Sequence, residues 1–176
     1  AALPGRAAMT HALRNPEISI LPARLDDLPA IMVLERAGFP AAEQWSERSW
    51  RGELLAEHRT ILIARAQHPV GMISIAIIGE LADLHRLVVE PRNRRQGIGA
   101  DLVRAGLELA RQVGVRAVIL DVAYHNEAAI ALYQRLGFEQ LSARKDYYGP
   151  GQHALILKLY DLQAWPDRLA SMTEEV

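Results

Sequence analysis

The sequence contains no cysteine, which excludes disulfides, thiolate metal sites and cysteine nucleophiles, and fits a reducing, cytoplasmic setting. Long apolar runs are missing as well. No stretch approaches the roughly 18 residues that span a bilayer, and the first sixteen residues are broken by Pro4, Gly5, Arg6, His11 and Arg14, so they lack the apolar middle of a signal peptide. Nor does one sign of charge prevail: 20 Lys and Arg face 21 Asp and Glu, a net charge of -1, so no chain-wide field draws the protein to nucleic acid or an acidic membrane. What is present is a globular mixture, 50% apolar and 23% charged over 176 residues. That suffices for one domain with a sizeable core and is too short for two ordinary ones.

Residues 1–16 show no sustained period and are expected to be a flexible leader, with Met9 a candidate start, ahead of a single domain over 17–160 and a tail over 161–176. A short run from Ile18 to Leu21 precedes Asp26 or Asp27 as a helix cap, then Leu28, Ile31, Met32 and Leu34 at helical spacing. Gly38 and Pro40 stop that helix, and Ser46 caps a second one carrying Trp50, Leu54 and Leu55. Ile61–Ala66 and Val70–Ile78, separated by His68 and Pro69, read as a hairpin. A third run, Leu84 to Val89, leads through PRNRRQGIGA into a helix with Ile98, Leu102, Ala105, Leu109 and Val113 on one face and Asp101, Arg104, Glu108 and Arg111 on the other. Gly114 closes it. The following RAVILDV, from Arg116 to Val122, is a strand covered on both faces, so a right-handed parallel crossover is expected. A helix from Glu127 to Leu136 ends at Gly137, and strands follow near Phe138–Ala143 and Ala154–Leu159.

The segment from Leu87 to Gly99, strand to basic turn to helix, carries the chemistry. Free N–H groups of a first helical turn, with the positive end of the helix dipole, suit a phosphate or pyrophosphate, and glycines let the backbone approach closely. Arg92, Arg94 and Arg95 add charge there. The plainer alternative is that Gly97 and Gly99 only permit a tight turn beside a solvated arginine cluster. A Walker-type loop is excluded because no Gly-x-x-x-x-Gly-Lys-Ser/Thr occurs, and the dinucleotide fingerprint lacks its third glycine.

Arg94-Arg95-Gln96-Gly97-Ile98-Gly99 resembles the Arg/Gln-x-x-Gly-x-Gly/Ala signature of the GNAT acetyltransferase superfamily, after a strand and at a helix start as that family requires. LDVAYHNEAAIALYQRLGFE, Leu120 to Glu139, resembles the family's fifth strand and following helix. Trp45-Ser46-Glu47 and RKDYY, Arg144 to Tyr148, make the chain similar to the bacterial ribosomal-protein-alanine N-acetyltransferases. The resemblance covers Ile18 to Leu159. It implies an α/β GNAT fold: a twisted, mixed, mostly antiparallel sheet with helices on both faces and splayed central strands. It further implies that acetyl-coenzyme A lies between the fourth and fifth strands. Its pantetheine arm would pair with the backbone along Leu87, Val88 and Val89, and its pyrophosphate would sit on the N–H groups from Arg95 through Gln96, Gly97, Ile98 and Gly99 to Ala100, beside Arg94. The Val89 N–H would polarise the thioester carbonyl.

Asn126 and Tyr133 are seven residues apart, two helical turns, so both are expected to project from nearly the same face of the last helix. The resemblance makes Asn126 a bond to the pantetheine arm and Tyr133 the general acid for the leaving thiolate. A core aromatic is the bland alternative for Tyr133. Asp121 interrupts an apolar strand, where an unpaired buried carboxylate is expensive. Similar enzymes carry Glu there as the proposed base; Asp is one methylene shorter, and a cap on the next helix or an arginine pair is the alternative. Glu90 and a water chain are the reserve candidates for the base. Trp45, Glu90 and Tyr147 are the acceptor-side candidates, with the groove drawn from Phe39–Trp50 and Tyr147–Gln152. His153 stands where similar enzymes carry an acidic residue, and Tyr147 and Tyr148 either wall the acceptor site or finish the sheet edge. None of the six histidines is spaced as a metal pair, so no metal is expected. The expected reaction is acetyl transfer to an amine, preferably a protein N-terminus and possibly that of a ribosomal protein. A small amine, amino acid or antibiotic as acceptor, or a coenzyme A-binding regulatory domain without turnover, are the alternatives.

Overall fold

The computed structural model describes residues 17–174, so the leader expected over 1–16 lies outside the described residues. In chain order it forms β1 (Ser19–Pro22), α1 (Leu28–Gly38), α2 (Glu47–Leu55), β2 (Arg59–Arg65), β3 (Pro69–Ile78), β4 (Leu81–Val89), α3 (Ile98–Gln112), β5 (Ala117–Ala123), α4 (Glu127–Arg135), β6 (Glu139–Arg144), β7 (Ala154–Leu159) and α5 (Trp165–Glu174). The seven strands make one sheet in the order β1-β2-β3-β4-β5-β7-β6. β4 and β5 pair in parallel, whereas β1–β2, β2–β3, β5–β7 and β6–β7 are antiparallel, so the sheet is mixed and mostly antiparallel as expected. The described residues divide into two compact units, 17–76 with 86–109 and 77–85 with 110–174.

In the first unit, Leu28, Ile31 and Leu34 of α1 bury one face against Trp50 of α2 and Ile61, Ile63, Met72 and Val88 of the sheet. Thr60–Ala64 and Val70–Ala76 are buried without interruption, the mark of strands covered on both faces. Ser46 caps α2 as expected, its Oγ accepting from the Ser49 N–H at 3.1 Å. Asp27 precedes α1 but does not cap it. Its carboxylate turns back to accept from the Arg24 N–H at 2.8 Å and pairs with Arg65 at 2.5 Å, a tie the local pattern could not show. Asp101, expected on the wet face of α3, is buried and pairs with Arg104 at 3.3 Å. Val103 and Leu107 are buried as well, so the covered arc is wider than the stripe of Ile98, Leu102, Ala105 and Leu109 and reaches Asp101 at its edge.

α3 packs closely on this unit's sheet. A Cβ on Gly71 would lie 2.9 Å from the Val88 carbonyl oxygen and 3.0 Å from Leu102 Cδ1. Backbone cannot yield as a side chain can, so Gly71→Ala is expected to cost about 1–3 kcal/mol. That corresponds to a fall of roughly 2–12 °C in Tm, readable by calorimetry.

In the second unit, four residues of β4, Leu81–Leu84, pair with Ala117–Leu120 of β5. The ladder ends there, although β4 runs on to Val89 and β5 to Ala123. α3 stops at Gly114, whose φ of +89° lets its N–H reach the Arg111 carbonyl while the Val115 N–H reaches Ala110. α4 ends in the same way: Gly137, with φ of +92°, donates to Gln134, and Phe138 donates to Tyr133. The segment from Asp161, whose role the sequence leaves unread, leads into α5. Trp165 is buried and its Nε1 donates to the Leu136 carbonyl at 2.8 Å, while the Leu162 N–H bonds Arg116 at 2.8 Å. Residues 161–165 are thus tied to this unit's core.

Candidate active site

In the first unit, β4 delivers the chain into the basic turn. A single 3-10 turn, Pro91–Asn93, follows Glu90, and α3 begins at Ile98. Between them Arg95 and Gly97 adopt left-handed conformations, with φ of +62° and +86°. Glycine accepts that geometry without a Cβ penalty and arginine does not, so the surroundings must hold the turn. Two holds are visible: Arg94 Nε donates to the Val89 carbonyl at 3.1 Å, and Gln96 Nε2 donates to the Arg92 carbonyl at 3.4 Å. The first bond of the α3 ladder runs from the Asp101 N–H to the Gly97 carbonyl at 3.0 Å. The N–H groups of Ile98, Gly99 and Ala100 therefore precede the ladder and have no acceptor within the helix. Gly99 and Ala100 are half-buried, and a fifteen-residue helix stands behind them. Such free amides at a helix start can accept an anionic group of pyrophosphate type.

In the second unit, Tyr133 lies on α4, buried, with its ring edge-on to Phe138 at 5.6 Å between centroids. Burial pushes its phenol well above the usual tyrosine range, and the nearby Tyr148 adds to the shift. The hydroxyl stays a proton donor at any working pH. Asn126 is not on the helical face with Tyr133. It is the N-cap residue, outside α4, and its Oδ1 accepts from the Ala129 N–H at 3.2 Å. A short polar side chain preceding a helix caps it before it can follow the helical period, which the seven-residue spacing conceals. Its side-chain NH2 is the part a ligand could use.

Asp121 neither caps α4 nor pairs with an arginine. Half-buried on β5 opposite Ile156, it accepts from the Tyr147 hydroxyl at 3.2 Å. Desolvation, then the Asp121 charge and hydrogen bond, raise the Tyr147 phenol, against the opposing pull of Arg144. Arg144 lies 5.2 Å from the Tyr147 ring centre, and Tyr147 meets Tyr148 edge-on at 4.9 Å. The loop from Arg144 to His153 is stitched by the Asp146 N–H to His153 Nδ1 at 2.9 Å and the Gly151 N–H to Asp146 at 2.6 Å. His153, considered for amine recognition, thus uses Nδ1 as an acceptor inside the loop. Asp121, the buried Tyr133 phenol and the Tyr147–Tyr148 pair are supplied by β5, α4 and the β6–β7 connection, all of the second unit.

The model of the acetyltransferase (GNAT) family matches residues 25–138 of the chain. The chain belongs to the GNAT acetyltransferase family.

Its relatives include the [ribosomal protein bS18]-alanine N-acetyltransferase of Escherichia coli K12, 29% identical over 122 residues that cover 69% of this chain and 81% of that one. N-alpha-acetyltransferase RimI of Mycobacterium tuberculosis is 33% identical over 120 residues, 65% of this chain and 74% of its own length. Among solved structures, the Escherichia coli ribosomal-protein-S18-alanine N-acetyltransferase superposes with a TM-score of 0.75 at 27% identity, over 82% of this chain and 94% of that one. A Thermoplasma acidophilum PaiA N-acetyltransferase in complex with coenzyme A shares the fold, with a TM-score of 0.70 at 20% identity over 81% and 98% of the two chains. This GNAT chain is an acetyltransferase, and no helix among its described residues is long and apolar enough to cross a membrane.

The remaining sequence candidates of this GNAT enzyme lie in the first unit. Glu90 Oε2 is 3.1 Å from His68 Nε2, so the reserve base already has a partner. Trp45 stacks at 5.0 Å on Trp50, and its N–H donates to Glu35 Oε1 at 2.7 Å. Glu35 was not legible as special: it reads as one charged residue on an amphipathic helix. It is fully buried and bonds Arg86 at 2.6 Å. The only local hint was position, since Glu35 follows Leu34 and adjoins the Leu28–Ile31–Leu34 face.

Proposed function

We propose that this GNAT acetyltransferase moves the acetyl group of acetyl-coenzyme A to a protein N-terminal α-amino group, of the ribosomal-protein-alanine type, by direct attack and in the cytoplasm. The catalytic domain is taken as residues 17–160. The observation that carries the chemistry is a buried phenol kept neutral, Tyr133, in the same unit as the Asp121 carboxylate. Direct transfer to an amine needs those two functions. The amine nitrogen attacks the thioester carbon, the C–N bond forms, the C–S bond breaks, and the sulfur leaves as thiolate unless it is protonated. Tyr133 supplies that proton, and Asp121 takes the one the amine sheds, directly or through water. Without cysteine, no thioester intermediate on the enzyme intervenes.

The donor's phosphates are assigned to the amides of Ile98, Gly99 and Ala100, with Arg94, Arg95, Gln96 and Gly97 shaping the turn. Its pantetheine arm is assigned to Leu87, Val88, Val89 and the Asn126 side-chain amide. The acceptor candidates are Trp45, in the connection from α1 to α2, and Glu90 on the first unit, and Tyr147 on the second. An α-amino group has an ordinary pKa of about 7.7–8.0, well below that of lysine, so a carboxylate can deprotonate it near neutrality. The named activity of the relatives at 29% and 33% identity favours this acceptor over small amines.

The test is thiol release from acetyl-coenzyme A with peptides of varied N-termini, polyamines and free amino acids, each product located by mass spectrometry. Acetylated α-amino groups, above all on alanine, support the assignment; turnover confined to small amines discards the acceptor; binding without turnover discards catalysis. Asp121→Asn is expected to remove the rising limb of the pH–rate profile and lower kcat about 10²-fold or more. An unchanged profile moves the base to Glu90 or to water.

A further inference from the structure

The connection between α1 and α2, Phe39 to Ser46, is mostly exposed and contains only a single 3-10 turn, Ala41–Glu43. Its own bonds, Gln44 Nε2 to the Phe39 carbonyl at 2.8 Å and the Glu43 N–H to the Pro40 carbonyl at 2.9 Å, shape it locally without tying it to the sheet. In this chain it is fastened by a buried ion pair that the chemistry above leaves unused. Glu35 lies in α1 with no exposed surface, and Arg86 of β4 is 13% exposed, with Nη2 at 2.6 Å from Glu35 Oε1. Both partners then reach into the connection. The Arg86 guanidinium covers the Phe39 ring at 3.7 Å and faces the Trp45 ring at 4.7 Å, and it donates to the Glu43 carbonyl at 2.5 Å. Glu35 Oε1 takes the Trp45 N–H at 2.7 Å. The connection is thus gripped near its start, middle and end by two side chains that lie 51 residues apart in sequence.

Stability alone does not account for this arrangement. A buried ion pair gains little over apolar residues of the same volume, because desolvation offsets the attraction. Here satisfaction is also incomplete, since Glu35 Oε2 and Arg86 Nε are buried without partners. What the pair supplies that an apolar pair could not is direction: a carbonyl, an N–H and two ring faces are each engaged at a set place. A planar guanidinium can bond in its plane and stack on its faces at once, which lysine cannot.

We propose that Glu35 and Arg86 are positioning residues that hold Phe39–Ser46 in the conformation that receives the acceptor amine. The inference rests on the assignment of that segment to the acceptor side, and it concerns acceptor binding rather than the donor. Neither residue touches the reacting atoms.

The test compares the full-length protein with Arg86→Met, Arg86→Lys and the double variant Glu35→Gln/Arg86→Met, which removes both charges together and so leaves no buried ion unpaired. Hydrogen exchange is read at the amides of residues 39–46, and steady-state constants are read for acetyl-coenzyme A and for whichever amine the unmodified enzyme acetylates. The expected result is faster exchange confined to residues 39–46, an acceptor KM raised about tenfold to a hundredfold, an unchanged KM for acetyl-coenzyme A, and no full rescue by lysine. Exchange and acceptor KM both unchanged in the folded double variant would overturn the inference. Faster exchange with an unchanged acceptor KM would also overturn it, reducing the pair to a purely structural tie. If no amine is turned over by the unmodified enzyme, the functional assignment fails first, and exchange at residues 39–46 still reports whether the pair holds the segment.

Discussion

Tyr133→Phe is expected to lower kcat by about 10²–10⁴-fold, the range that removal of a positioned general acid produces, while the affinity for acetyl-coenzyme A stays within about twofold. The substitution removes one oxygen and keeps the ring against Phe138, so the packing of α4 is preserved. Burial holds the phenol neutral far past its ordinary value of 10.0, so it can donate to sulfur across the whole working range. Single-turnover measurements should place the loss in the chemical step, and a rate unchanged at every pH would remove Tyr133 from the role of acid. The same burial predicts an alkaline signature in stability. The folded-state pKa lies above the unfolded one, so its stabilising effect is complete below about pH 10, and it is lost as pH rises from there through the folded value. Thermal unfolding of the unsubstituted protein should fall more steeply above pH 10 than that of the phenylalanine variant, in which this group is absent.

Gly97→Val is expected to weaken acetyl-coenzyme A binding at least about tenfold, equivalent to about 1.4 kcal/mol, as read by calorimetric titration. Position 97 has φ of +86°, open to glycine and severely strained for a β-branched residue. The turn must then shift just where the unladdered amides of α3 begin. A loss of fold is separable from a loss of site. Left-handed strain costs roughly 1–2 kcal/mol, a few degrees of Tm for a chain of this size, so binding can be measured on folded protein at 25 °C. Donor affinity equal to that of the unsubstituted enzyme would refute the pyrophosphate assignment.

Features encoded within about a dozen residues were legible in the amino-acid order. Ser46 ahead of α2 marks a helix start through its side-chain cap, and Gly114 after α3 and Gly137 after α4 mark helix ends through backbone geometry, none of which needs a distant partner. The strand, the basic turn with Gly97 and Gly99 and the amphipathic helix after it were legible because free amides at a helix start are a local property. The continuous burial of β2 and β3 was legible in their apolar runs, whereas β5, expected to be covered on both faces, alternates, with Ile119, Asp121 and Ala123 only half-buried. Asn126 was misjudged by the same local reasoning, since capping and helical spacing compete at a helix boundary and the spacing alone does not say which prevails.

The amino-acid order by itself determined the strand–turn–helix units, their stops and the family signature, because backbone sterics, capping and apolar periodicity act over a few residues. Tertiary structure alone decided what Asp121 and Glu35 meet. Asp121 finds Tyr147 26 residues away, through the pairing of β5 with β7, and Glu35 finds Arg86 51 residues away, through the packing of α1 on the sheet. It also decided that residues 161–165 are tied to the core through Trp165 and Leu162. Such partners are chosen when non-local surfaces close and water is expelled, and a buried carboxylate must then take whichever donor the fold brings within reach.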